Sequence, residues 1–156
     1  MAPYYIYDIY RYCGHLPGWE FPKDGKFKTL DYKNYFDAPD RHAFLIELND
    51  ELAGFTLINK VGTCTDVDWN MGEFFILAKF QGKVVGEQIA FQVWDQFPGI
   101  WEVPVIPENL RALGFWRKVI TKYTCGHFLE EMKVVHYDSK ETKRIIFKFD
   151  TSRIIK

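Results

Sequence analysis

The chain has 156 residues, a formal charge of −1 and 47% hydrophobic residues, enough to bury the core of a single domain. No apolar run reaches the length of a membrane span and no basic-then-apolar leader opens the chain, so neither a membrane protein nor a secreted precursor is expected. The balanced charge gives no global attraction to nucleic acid or acidic lipid.

Tyr4–Tyr12 is ambiguous. Its aromatics and isoleucines favour a strand, yet Tyr5, Ile9 and Tyr12 share one helical face. Residues 13–28 carry Gly14, Pro17, Gly18, Pro22 and Gly25 and predict an irregular loop, followed by a short helical turn near Asp31–Phe36. His42–Leu48 and Leu52–Lys60, joined by Asn49-Asp50-Glu51, predict a β-hairpin. Met71–Phe80 holds an apolar strand. Gly82 to Gly86 form a turn, and a helix to about Phe97 repeats Val85, Ile89, Val93 and Phe97. Pro98-Gly99 stops it, and Trp101–Ile106 is the next strand. Asn109 is a helix cap before Leu110, Leu113, Trp116 and Ile120. Strands near Phe128–Tyr137 and Arg144–Phe149 flank a turn at Asp138–Thr142. From residue 42 the order β-β-β-α-β-α-β-β predicts an α+β fold, a mixed sheet flanked by helices.

The turn Gln81-Gly82-Lys83-Val84-Val85-Gly86 lies between a buried strand and a helix start, where unpaired amides and the helix dipole favour an anion. Its glycines permit close backbone approach and Lys83 adds positive charge, but neither the Walker nor the GxGxxG spacing is present. Taken alone, a structural turn and a phosphate cradle both remain open. Together with Pro107–Ile120 (PENLRALGFWRKVI), the stretch Trp69–Ile120 closely resembles the GNAT superfamily of N-acetyltransferases. In that family a turn of pattern Gln/Arg-x-x-Gly-x-Gly/Ala holds the CoA pyrophosphate. Gln81 and Gly86 match its ends, whereas Val84 stands where glycine is usual. Asn109 matches an asparagine that contacts the pantetheine arm.

The resemblance implies acetyl-CoA as cosubstrate, no metal, and direct attack by a primary amine in a ternary complex. Gln81, Gly82, Lys83, Val84, Val85 and Gly86 would hold the pyrophosphate. Phe75, Ile76 and Leu77 would offer main-chain contacts to the acyl group and pantetheine. It also favours the helix for Tyr4–Tyr12, so the family's first strand is missing from this chain. The expected open sheet edge and tyrosine-rich helix point to a homodimer. Trp116 replaces the tyrosine that usually protonates the departing thiolate, and indole is not an acid.

Glu73, among Phe74, Phe75 and Ile76, is the candidate base because apolar neighbours raise a carboxyl pKa; a solvent-facing or cation-paired Glu73 is the alternative. Asp66 and Asp68 are second candidates. Tyr123 is a substitute acid or a packing residue, and Trp19, Phe21 and Trp69 are acceptor-pocket walls or loop anchors. His15, His42, His127 and His136 lack metal spacing. Cys13, Cys64 and Cys125 are odd in number without a CxxC pair, as expected of reduced thiols in a cytoplasmic protein. Two functions stand: an acetyltransferase acting on a small-molecule or protein amine, or an acyl-CoA-binding sensor without turnover. No nucleic-acid or membrane partner is expected.

Overall fold

The computed structural model describes residues 1–27, 31–137 and 140–152. Helix α1 (Ala2–Cys13) opens with Pro at its start, where a missing N–H leaves no intrahelical bond unmade. The shared face of Tyr5, Ile9 and Tyr12 turns inward, so helical packing overrides the strand propensity of this segment. The loop after it folds back on the helix: Phe27 meets Tyr7 and Tyr10, and Phe21 meets Tyr10. One turn of helix, α2 (Asn34–Asp37), leads into a hairpin of β1 (Arg41–Leu48) and β2 (Glu51–Asn59). Asn49 and Asp50 take φ of 52° and 61°, the left-handed pair that matches the twist of a tight hairpin.

β3 (Trp69–Ile76) is shorter than the apolar run predicts. Leu77 donates its N–H to Ala53 O, and Ala78–Phe80 then close a single 3-10 turn that returns Phe80 to a cluster with Ile46, Ala53 and Ile76. Helix α3 (Val85–Gln96), strand β4 (Ile100–Val105) and helix α4 (Leu110–Thr124) follow. α4 passes the expected end at Ile120 and stops where Cys125 and Gly126 adopt φ of 52° and 85°. The last two strands are β5 (Leu129–Tyr137) and β6 (Lys140–Asp150). Of the turn expected at Asp138–Thr142, residues 138 and 139 lie outside the described residues and 140–142 belong to β6.

The six strands form one mixed sheet in the order β1-β2-β3-β4-β6-β5. Only β3 and β4 are parallel neighbours. Among the described residues no strand precedes β1, which therefore forms an edge. One face of the sheet carries α3 and α4 on a core that includes Trp94, Trp101, Trp116, Ile120 and Phe147. The other buries Phe55, Leu57 and Phe75 under Tyr5, Tyr32 and Tyr35 from the α1–α2 side. No helix among the described residues is long and apolar enough to cross a membrane.

One irregularity positions the site. Leu57 pairs with Glu73 but the next residue, Ile58, pairs with Met71, so Gly72 is an extra residue in β3. Such a bulge bends its strand and resets which side chains face which way. The β3–β4 pairing ends just before it, after Trp69↔Trp101 and Asn70↔Glu102. Beyond Gly72 the two parallel strands diverge.

Candidate active site

The fork between β3 and β4 opens into two adjoining cavities of about 370 and 100 Å³. Tyr5, Ile9, Phe74, Asn109, Ala112 and Trp116 wall both, so the cavities meet at the fork. The larger one runs from there to the strand-to-helix turn, where Gln81, Gly82, Lys83, Val84 and Gly86 line it. A single cleft thus joins the turn at the start of α3 to the parting of the strands.

The turn is built from local chemistry. Gly82 has φ of +74°, which favours glycine, and a Cβ there would meet no atom within 4 Å. Gln81 Nε2 donates to Ile76 O at 2.6 Å, tying the turn to the end of β3. Val84 has φ of −70°, so a β-branched residue fits without strain, and its exposed side chain leaves the helix start open. No side chain caps α3, leaving its first-turn amides directed at the cleft. Gly86 has a different task from the one expected: a Cβ there would lie 3.2 Å from the Phe115 ring, so this glycine lets α3 approach α4. Val85 turns into the core with Ile76 and Phe80 and does not line the cleft.

Backbone direction in β3 corrects the main-chain assignment. A Cβ on Gly54 of β2 would stand 2.1 Å from Phe75 O, and Glu73 O accepts from Thr56 Oγ1 at 3.0 Å. The amide groups of 73 and 75 therefore point to β2, and by alternation those of Phe74 and Ile76 point into the fork. Phe75 lines the cleft by its ring alone. Leu77 is excluded, since its N–H is bonded to Ala53 and its carbonyl to Phe80 N–H. Phe74 was missed because its ring, packed on Phe115 and Trp116, reads as core.

Glu73 sits on the α1 face of β3, and its Oε2 accepts the Tyr5 hydroxyl. Burial raises this carboxyl to about 7, against the lowering effects of the Tyr5 hydrogen bond and the Arg144 charge. The same burial raises Tyr5 well above its ordinary value, with Glu73 adding to it. Tyr32 and Tyr35 feel the Glu73 charge, and the Tyr32 hydroxyl is buried without a hydrogen-bond partner among the described residues. Glu73 lines neither cavity directly; Tyr5 stands between it and the cleft.

Asn109 does two things at once. Its side-chain oxygen accepts from Ala112 N–H at 3.0 Å as the α4 cap, and the residue walls both cavities. Trp116 is buried against Phe74, Phe115 and Trp94 and also faces the cleft.

The remaining candidates lie elsewhere. Tyr123 donates to Asp95 Oδ1 at 2.6 Å and packs on Phe91 and Trp94, away from the cleft. Asp68 accepts from Ile100 N–H at 2.8 Å, fixing the loop to β4, and Asp66 pairs with Lys148 at the surface. Trp69 belongs to a cluster with His42, Phe97 and Trp101, Phe21 packs with Tyr10 and Phe27, and Trp19 lines neither cavity. All three cysteines are free. Among the described residues no group of His, Cys, Asp and Glu is arranged to hold a metal ion.

A mixed sheet that splits at a bulge, with a helix N-terminus at the mouth of the split, defines an acyl-carrier cleft of the acetyltransferase type. Residues 6–120 match the acetyltransferase (GNAT) family, and the chain belongs to that family. Among solved structures, a spermidine N-acetyltransferase chimera from Vibrio cholerae is similar at 14% identity, with a TM-score of 0.58 over 95% of this chain and 92% of that one. Mycobacterium smegmatis RimJ with CoA-disulfide has a TM-score of 0.59 at 17% identity, over 80% of this chain and 59% of that chain. An Elizabethkingia anophelis GNAT acetyltransferase with acetyl-CoA bound gives 0.53 at 14% identity, over 76% and 80%. These likenesses show the fold. No curated protein matches the chain significantly by sequence.

Proposed function

We propose that the chain, acting as one acyltransferase domain over its 156 residues, transfers an acetyl group from acetyl-CoA to a primary amine. The observation that carries this reading is the continuity of the cleft from the uncapped start of α3 to the β3–β4 fork. The amides of Val84, Val85 and Gly86, with Gln81, Gly82 and Lys83 around them, hold the pyrophosphate. Asn109 and the main chain of Phe74 and Ile76 accompany the pantetheine. An N–H in the fork donates to the carbonyl oxygen as it becomes an oxyanion. Glu73 is the base that removes a proton from the amine, and its raised value suits that task at neutral pH. Free thiols at Cys13, Cys64 and Cys125 accord with work in a reducing compartment such as the cytoplasm.

A second reading is an acyl-CoA-binding module with little turnover. It is favoured by Trp116 at the position of the family's usual acid and by Tyr123 being tied to Asp95. One experiment separates the two. Acetyl-CoA should raise the melting temperature by mass action. Incubation with spermidine, lysine amide and a peptide with a free N-terminus should release CoA thiol with at least one amine. A melting shift with no thiol release selects the binding module. Neither response, with calorimetry also flat at millimolar acetyl-CoA, rejects both.

A further inference from the structure

Glu73 is the one raised carboxylate near the fork, yet it lines neither cavity. Its connection to the cleft is the Tyr5 hydroxyl. Tyr5 comes from α1, on the opposite side of the sheet from the helix that usually supplies a phenol, and walls both cavities. Its ring is fixed edge-on to Phe55 at 5.5 Å and tilted against Phe75 at 5.6 Å, and its hydroxyl donates to Glu73 Oε2. No other phenol is so placed: Tyr12 reaches only the larger cavity, and Tyr123 is bonded to Asp95.

We propose that Tyr5 is the proton relay through which Glu73 serves the cleft, standing in for the acid that Trp116 cannot be. The inference rests on the transferase reading above. As the amine nitrogen bonds to the acetyl carbon, its proton passes to Tyr5 Oη while the phenolic proton passes to Glu73. When the carbon–sulfur bond breaks, the electron pair stays on sulfur, the phenolic proton moves to the thiolate, and Glu73 returns its proton to Tyr5. The amine proton ends on the CoA thiol and both residues regain their starting states. Burial keeps Tyr5 protonated between turnovers, and the net transfer runs from a carboxyl of about 7 to a thiolate whose acid has a value of about 8.5, which is downhill.

The test is a double-mutant cycle with Tyr5→Phe and Glu73→Gln, using the fastest amine of the panel and saturating acetyl-CoA. Tyr5→Phe keeps the ring packing, so melting temperature and acetyl-CoA affinity, read by calorimetry, serve as controls for folding. Tyr4→Phe, at an exposed neighbour, is the mock change. A relay predicts that each single variant loses about 10²-fold in turnover and that the double variant is no slower than either. It also predicts that Tyr5→Phe abolishes the acidic limb of the pH–rate profile although Glu73 is still present. A double variant whose loss is the product of the two singles overturns the relay. So does a Tyr5→Phe variant that keeps the limb. A wild-type chain that binds acetyl-CoA but acetylates no amine overturns the transferase reading, and the relay falls with the reaction it serves.

Discussion

Glu73 lies where function and stability oppose each other. Its carboxyl titrates near 7 in the folded chain and at an ordinary 4.5 when unfolded, so the folded state binds the proton more tightly. The group adds no penalty below 4.5, destabilises progressively as pH rises from 4.5 to 7, and costs up to about 3 kcal/mol above that, at 1.36 kcal/mol per unit. Glu73→Gln keeps the acceptor for Tyr5 and removes the charge. Thermal melts should show the variant gaining on wild type as pH rises, with little difference at pH 4 and the largest gap at pH 8. Its turnover should fall about 10²-fold, and the rate should no longer climb through pH 7. A melting difference that does not change with pH would show that Glu73 is not the buried carboxylate described.

Gly72 links sequence to site at the scale of the element. A Cβ there would stand 2.7 Å from Tyr35 Oη, 2.8 Å from Asn59 Nδ2 and 3.3 Å from Leu57 O. Those groups are committed: Asn59 Nδ2 donates to Tyr35 Oη at 2.7 Å, and Asn70 Nδ2 donates to Asn59 Oδ1 at 3.2 Å. Gly72→Ala must push α2 away or flatten the bulge, and should cost about 1–3 kcal/mol in denaturant unfolding. Because flattening narrows the fork, acetyl-CoA affinity should fall more than global stability predicts; unchanged affinity would detach the bulge from the cleft. The hairpin, the crossover helix and the cap at Asn109 were legible in the sequence because period, turn residues and capping all agreed there. The bulge was not, because Met-Gly-Glu carries no mark of register. Tyr5 was hidden among five tyrosines of one helix. Glu102 was missed too: inside a strand it reads as a solvent-facing position, yet it is fully buried, accepting Thr63 N–H at 2.5 Å and Cys64 N–H at 2.9 Å.

For the whole molecule, the edge at β1 raises the question of assembly. Leu45 on that strand is 70% exposed, Phe36 of the adjoining α2 is 77% exposed, and Tyr4 of α1 is 67% exposed. The loop over α1 covers Tyr10 with Phe21 and Phe27 but leaves this side open. A homodimer closing over β1 is the proposed state. Sedimentation at micromolar concentration should give about twice 18.5 kDa, and Leu45→Lys should return it to a single species near 18.5 kDa. A wild-type monomer that persists on a tenfold increase in concentration ends that proposal.

The short β3–β4 pairing also has a mechanical consequence. Two ladder positions are all that joins the sheet's first three strands to its last three, so the sheet is two stiff plates on a narrow hinge. A cosubstrate lying in the fork bridges the plates as a missing strand would, and its binding should be felt as a loss of breathing between them. Hydrogen exchange offers a direct view. Without ligand, the amides of Phe74 and Ile76 should exchange much faster than those of Glu73 and Phe75, which are turned toward β2. With acetyl-CoA bound the contrast should shrink, while the amides of β5 and β6, remote from the hinge, keep their rates. Equal protection of all four β3 amides in the free protein would mean that the plates are already locked together.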